Sequence, residues 1–570
     1  MRHSDFNQRF PREAQIKRVL LLGLLLGLLS ACGGGGGGSS SSASPAPVPE
    51  PTNPEPEPIA LAVIDGIPLA GVNNFDPQHS EFSFVHLGHS DLTMSFTGDC
   101  NTLTGTTVRR ELFDLSTPDF NQILDHKLRC DFLENTQYTI DADGTRSNDA
   151  AFRATHQFAT GLPNTPGINI IDQFALPRSF VDDMFLGYIE GALLSELDLP
   201  PAIEALVLGI LVELAEDNWG NLVNPDALYH VASQRVSYLS TDPSGEPEAE
   251  LTGLITFPAV TQEFTPRDRM IVLTHATGST PGDLELNDAW YILANLFASR
   301  GYLVIAPDNY GRGGTEGNPE TYLMANRTAH NARDMITQVL DDTAYDEVYA
   351  GTDITIIGYS QGGHSAIGLW QLLENQGTNA ISTREVYAGG APHNLYQTFR
   401  GVLQHLDGQC NNGEYCRHVD SDITVPFATD RILPGFLSYT DTGLMPTDII
   451  NGNEIDPDFI SGFLADEPPY DKLKALLQLS SFTDISSTAE NLRGTDALVH
   501  LYHSEFDRLV PPANTEELNA NLAAHVTVNF HRNRCNADGY EIIYNLTDKV
   551  GVLHTLCGLA VLDDAMEDLK

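Results

Sequence analysis

Five residues, Gly358-Tyr-Ser-Gln-Gly362, hold a serine hydroxyl between two glycines, and their flanks give that hydroxyl a setting for nucleophilic attack. Asp353-Ile-Thr-Ile-Ile357 is a β-branched run suited to a buried parallel strand. Beyond Gln361, the residues Ala366, Leu369, Leu372 and Leu373 recur at helical spacing. A Ser on such a strand-to-helix turn takes a strained backbone conformation that lifts its hydroxyl above the sheet. Gly358 and Gly362 are required because a side chain at either would collide across the turn. Gln361 opens the helix, so its N–H lacks an intrahelical acceptor and sits at the positive end of the dipole, where it can stabilise an oxyanion.

A serine hydroxyl needs a base, and the base needs an orienting acid. Ala497-Leu-Val-His-Leu-Tyr502 reads as another buried strand and runs into His503-Ser-Glu-Phe-Asp-Arg-Leu-Val-Pro511. Asp507 is the candidate acid, with Glu505 the alternative two residues away. Gly551-Val-Leu-His-Thr-Leu-Cys557 supplies His554 as the base; His525 and His531 are the other candidates among 18 histidines. The chain order Ser360, Asp507, His554 is one in which such triads recur. A second oxyanion donor is expected from His275-Ala-Thr-Gly-Ser-Thr-Pro-Gly282, a small-residue turn after the strand Met270-Ile-Val-Leu-Thr274. Thr277 is the chosen donor, with Ala276 next.

These stretches resemble the α/β-hydrolase superfamily and, within it, the secretory lipase and carboxylesterase branch. The resemblance rests on Gly358-Tyr-Ser-Gln-Gly-Gly-His364, on Ala306-Pro-Asp-Asn-Tyr-Gly311 with Thr321-Tyr-Leu323, and on Gly389-Gly-Ala-Pro392. The hairpin from Val236-Ser-Tyr-Leu-Ser-Thr-Asp242 to Ala249-Glu-Leu-Thr-Gly-Leu-Ile-Thr-Phe-Pro258 resembles the opening strands of such enzymes. Residues 228 to 570 are covered. One departure is His275-Ala276, where many relatives have His-Gly.

The resemblance implies a carboxylic-ester hydrolase working through an acyl-enzyme, with lipids, small esters or polyesters as substrates. It calls for no cofactor and no metal, and the sequence has no His-x-x-x-His, Cys-x-x-Cys or phosphate loop. Two alternatives stand beside it. The same triad serves a serine peptidase or acyltransferase, and an inactive hydrolase domain could belong to a surface adhesion or scaffold protein.

The elements around the site set its context. Arg9, Arg12, Lys17 and Arg18 precede the apolar run Val19 to Leu29, too short for a spanning helix. Leu29-Ser-Ala-Cys32 resembles a bacterial lipobox, which implies that residues 1–31 are a lipoprotein signal peptide cleaved before Cys32, with lipidation of Cys32 and export to the outer membrane or cell surface. Residues 32–58, rich in Gly, Ser and Pro, read as a tether. The alternating runs of 59–161 predict a small all-β unit, and Thr136 through Thr145, closing with Ala154-Thr-His-Gln-Phe-Ala-Thr160, resembles the end of bacterial immunoglobulin-like domains. Residues 162–227 read as a helical connection, with Pro200-Pro201 opening the apolar helix 202–215. The stretch of about 395–492 is too long for one crossover and is expected to be a cap over the site, containing a helix at Leu473-Lys-Ala-Leu-Leu-Gln-Leu479. The fold class is therefore α/β with an inserted cap, preceded by a small β domain.

Seven cysteines less Cys32 leave six, an even number suited to an oxidising compartment. Local spacing suggests Cys100–Cys130, Cys410–Cys416 and Cys535–Cys557, and the last would brace the loop that carries His554. The chain holds 31 Lys plus Arg against 77 Asp plus Glu, a net charge of −46. Such a surface repels nucleic acid. With lysine confined to Lys17, Lys127, Lys472, Lys474, Lys549 and Lys570, it also suits saline surroundings, where salt screens self-repulsion.

Overall fold

Parallel strands covered on both faces require near-continuous apolar runs, and this chain supplies a series of them. The computed structural model describes residues 63–67, 81–87, 92–97, 103–111, 122–130, 132–145, 151–161, 167–194, 218–243, 245, 247–259, 264–376, 381–410, 413–417, 419–452, 454–482, 496–535 and 551–569. Nine strands form the main sheet: β1 (Asn169–Leu176), β2 (Val231–Thr241), β3 (Pro247–Pro258), β4 (Arg267–Thr274), β5 (Leu303–Pro307), β6 (Tyr349–Tyr359), β7 (Ser382–Gly389), β8 (Leu498–Tyr502) and β9 (Thr527–Phe530). Their order across the sheet is β9-β8-β7-β6-β4-β5-β3-β2-β1. The six from β9 to β5 run parallel, and β3, β2 and β1 extend the sheet in antiparallel pairs.

Period-two alternation divides each central strand between two cores. On one face Ile271, Leu273, Val304, Ala306 and Ile357 pack with Val181 and Phe185 of α1 (Arg178–Leu194), with Trp290 and Phe297 of α2 (Ala289–Ser299), and with residues from Leu556 to Met566 at the C-terminal end. On the other face Met270, Val272, Leu303, Ile305, Ile354 and Ile356 meet Met335 and Ile336 of α3 (Ala325–Asp341) and Ala366, Leu369 and Trp370 of α4 (Gln361–Gln376).

Between β7 and β8 the chain leaves the sheet to build a helical insertion. It contains α5 (Leu395–Leu406), α6 (Ser421–Phe427), a π-helical turn (Ala428–Ile432), α7 (Leu433–Tyr439), α8 (Pro457–Leu464) and α9 (Asp471–Leu479). Pro426 lies within α6, and the wider π turn follows directly after it. Phe399, Phe436, Phe459, Phe463, Leu473 and Leu477 form the insertion's own core, closed below by Tyr322, Leu323 and Met324 of the host. Exit and re-entry lie side by side: Phe482 N donates to His393 O (2.7 Å) and Tyr396 N to Ser481 Oγ (3.1 Å). The sheet resumes with β8, α10 (Ala513–Leu522), β9 and α11 (Gly551–Asp568).

Ahead of the main sheet the described strands are all antiparallel. Val63–Ile67, Glu81–Leu87, Gln122–Cys130 and Leu103–Glu111 form a four-stranded sheet in that order, and Leu92–Thr97, Gln137–Thr145 and Ala151–Ala159 a three-stranded one. The segment read as a purely helical connection, 162–227, differs from that expectation, because it opens with β1 and extends the main sheet. Ile170, Ile171 and Phe174 of β1 are all about half exposed, so this edge strand shows no burial alternation. The expected signal peptide and tether with Cys32, the helix 202–215, and Cys100 with its pairing to Cys130 lie outside the described residues.

Candidate active site

Ser360 is the turn between β6 and α4, with a φ of 57°. A side-chain-bearing residue in the left-handed region is costly and persists only where its surroundings over-determine it. Here they do. A Cβ on Gly358 would lie 2.2 Å from Gly362 O, and one on Gly362 would lie 1.9 Å from Thr274 O. Thr274, the last residue of β4, donates its hydroxyl to Gly362 O (2.8 Å). Ser360 N donates to Gly389 O at the end of β7 (2.9 Å), so three adjacent strand ends fix the turn.

His554 and Asp507 come together as a pair. The Nδ1 of His554 lies 2.6 Å from Asp507 Oδ2, and Asp507 is fully buried beyond the end of β8. Its Oδ1 accepts from Leu509 N (2.8 Å) and Val510 N (3.0 Å), while His503 Nε2 lies 3.4 Å from Oδ2. Burial by itself raises the Asp507 carboxyl, but the charges and hydrogen bonds of His554 and His503 outweigh it and hold the group well below the ordinary carboxylate range. Asp507 is therefore ionised and aimed at the imidazole. The opposite nitrogen, His554 Nε2, is buried without a hydrogen-bond partner. Tyr359, the residue before Ser360, donates its hydroxyl to His554 O (2.5 Å) and lies ring to ring with His554 at 5.0 Å. The imidazole thus stands beside the turn that carries the hydroxyl.

His554 was expected on a loop braced by a disulfide. The brace is present, since Cys535 and Cys557 are bonded, but His554 lies in the first turn of α11. The Gly551-Val552 start hides that helix from a propensity reading, because Gly and a β-branched residue are weak helix formers. The Cys410–Cys416 bond also forms, in the insertion after α5. Glu505, the alternative acid, is exposed. His531 stacks on Tyr502 and meets His500 at 3.0 Å, and His525 closes α10; among the described residues the hydrogen-bond and ion-pair partners of the Asp507 carboxylate are Leu509, Val510, His554 and His503.

The loop after β4 is held from both sides. Asp288, the N-cap of α2, accepts from Ser279 Oγ (2.7 Å) and Thr280 N (2.9 Å) as well as from Trp290 N (2.8 Å). Thr277 Oγ1 lies 2.8 Å from the hydroxyl of buried Tyr322. Gln361, at the start of α4, donates from Nε2 to Glu320 Oε1 (2.5 Å). Sequence reasoning missed Glu320, Tyr359, Asp288 and His503. Thr321-Tyr-Leu323 was noted only as part of a resemblance, and its role rests on a contact across 45 residues that no periodicity marks.

A strained serine, a buried Asp–His pair and a loop facing a helix N-terminus sit at the C-terminal ends of parallel strands. Residues 271–533 match the model of the alpha/beta hydrolase family. Over those residues the chain is similar to that family. No curated protein matches the chain. Among solved structures, a candidate hydrolase from Legionella pneumophila shares 15% identity at a TM-score of 0.44, covering 70% of this chain and 98% of its own. The rice cell wall degrading esterase LipA from Xanthomonas oryzae shares 16% at 0.42, covering 71% and 98%. An acylaminoacyl peptidase from Pyrococcus horikoshii shares 15% at 0.29, covering 52% and 36%. Each is a partial likeness at low identity.

Proposed function

We propose that the protein hydrolyses carboxylic esters through an acyl-enzyme on Ser360. The observation that carries this reading is the Asp507–His554 pair, 2.6 Å apart with His554 Nε2 left open, beside a serine held at positive φ. In the first step Ser360 Oγ attacks the ester carbonyl, the Oγ–C bond forms and the hydroxyl proton passes to His554 Nε2. The carbonyl electron pair moves onto oxygen, where the N–H groups of Gln361 and Thr277 receive it. The C–O bond to the alcohol then breaks, and His554 returns its proton to the leaving alkoxide. Water repeats the sequence on the acyl-serine, releases the acid and restores Ser360. Asp507, ionised throughout, keeps the proton of the neutral imidazole on Nδ1 and stabilises the imidazolium as it forms.

The helical insertion rests on residues 322–324, beside the turn, which supports its reading as a cap that shapes the acyl pocket and limits water. With Cys32 lipidated as its sequence suggests, the enzyme would work outside the cytoplasm on membrane or polymeric esters. The test is direct. Ser360→Ala is expected to abolish turnover of a short-chain p-nitrophenyl ester, with an unchanged melting temperature. Turnover persisting at the wild-type rate would remove the assignment.

A further inference from the structure

Three consecutive residues, Glu320-Thr321-Tyr322, touch both sides of the proposed oxyanion hole. Glu320 Oε1 accepts from the side chain of Gln361, whose backbone N–H is one donor. Two residues on, the Tyr322 hydroxyl meets Thr277 Oγ1 on the loop that carries the other. Burial, more than any neighbour, pushes the Tyr322 hydroxyl's pKa up, so it stays protonated and able to hydrogen-bond. The backbone of the tripeptide is itself tightly confined. A Cβ on Gly311 would lie 2.4 Å from Glu320 Cα, and one on Gly435 of α7 would lie 2.5 Å from Glu320 O. Thr321 N donates to Tyr310 O (3.0 Å), and the next residue, buried Leu323, has a φ of 56°. A branched side chain in that region marks a segment whose conformation its surroundings impose.

The insertion sits on the same stretch of chain. Tyr439 donates its hydroxyl to Pro319 O (2.8 Å), Arg431 lies 3.8 Å from Glu320 Oε2, and Tyr322 is part of the insertion's core. We propose that Glu320 and Tyr322 are positioning residues: they bracket Gln361 and Thr277 at the separation an oxyanion needs, and seating of the insertion holds the bracket in place. The inference rests on the ester-hydrolase reading. Among the described residues no hydrogen bond joins the bracket to Ser360 Oγ or His554, so its loss should slow transition-state formation without altering ground-state binding.

The experiment measures kcat and KM of the full chain on p-nitrophenyl butyrate for Glu320→Ala, Glu320→Gln, Tyr322→Phe, the double variant Glu320→Ala/Tyr322→Phe, and Gly435→Ala, with Ser360→Ala as control. Each single loss of contact is expected to lower kcat about tenfold, less than the 10²–10³ typical of deleting a donor outright, with KM within about twofold. The double variant should lose less than the product of the two, because both changes release one bracket. Glu320→Gln keeps an acceptor for Gln361 and should recover most of the rate lost in Glu320→Ala. Gly435→Ala, which alters no group near the chemistry and favours its helix, should lower kcat by displacing Glu320. A kcat unchanged in Tyr322→Phe and Gly435→Ala, a loss confined to KM, or no rescue by Glu320→Gln overturns the bracket while the dead Ser360→Ala control keeps the esterase reading. An active Ser360→Ala overturns both.

Discussion

At Asp507 two backbone N–H groups and the imidazole of His554 converge on one carboxylate with no solvent contact. An amide there is nearly isosteric yet cannot fix the same tautomer of His554. Asp507→Asn should therefore fold and lose about 10³–10⁴ in kcat, read as steady-state ester turnover beside a melting curve that confirms the fold. Gly362 makes the opposite case. A single methyl would stand 1.9 Å from Thr274 O, so Gly362→Ala should depress both melting temperature and activity, whereas an equal substitution at exposed Gly187 of α1, where nothing lies within 4 Å and the backbone is helical, affects neither site nor packing. The residues of the proposed triad stand out in the sequence because such chemistry forces them into marked company: a serine between glycines, an acid past a strand end, a histidine late in the chain. Glu320 and Tyr322 carry no such mark, since their importance lies in partners brought close only by the folded chain.

At the scale of elements, α11 is the piece on which the proposed base depends. It carries His554 in its first turn and is tied to the residues after β9 by the Cys535–Cys557 bond. Arg534 adds ion pairs to Asp563 (2.9 Å) and Asp564 (2.8 Å) further along the helix. Closing a loop of 22 residues stabilises a fold by about 2–4 kcal/mol in the chain-entropy account. The variant Cys535→Ser/Cys557→Ser should accordingly unfold at lower urea and lose kcat at temperatures where the sheet persists. Unaltered kcat and midpoint would show the brace to be idle. The strands were legible wherever both faces are covered: β4, β5, β6 and β8 present unbroken buried runs. Leu273 is typical of them, and Leu273→Ala should cost about 2–5 kcal/mol of stability in a denaturant titration. β1 was missed because its faces are open, so the burial pattern that betrays a strand has nothing to act on.

For the whole molecule, charge and buried imidazoles set the response to solution conditions. Burial pushes His364 and His500 down to about 4 from an ordinary value of 6.5, and His393 also lies well below it. The unfolded chain therefore takes up protons first as pH falls. The stability that comes from keeping these rings neutral is complete above about 6.5 and is lost progressively toward pH 4. The melting temperature should fall across that window, and substituting His500 by Gln should flatten part of the decline; a level profile from pH 7 to 4 would contradict it. A net charge of −46 adds a second dependence. Raising NaCl from low concentration to that of seawater should raise the melting temperature by screening like charges.

The neck where Phe482 N meets His393 O has a consequence for how this molecule can be altered. A guest segment whose two ends already touch imposes almost no closure entropy on its host, so the stretch between 394 and 481 behaves as a detachable module. Grafting a different helical unit onto the same two points leaves strands, turn and base untouched, provided the newcomer brings apolar residues to cover Tyr322, Leu323 and Met324. On the proposed function, selectivity could then diverge by exchange of one contiguous block, so long as the new block seats Glu320 and Tyr322 as Arg431 and Tyr439 do now.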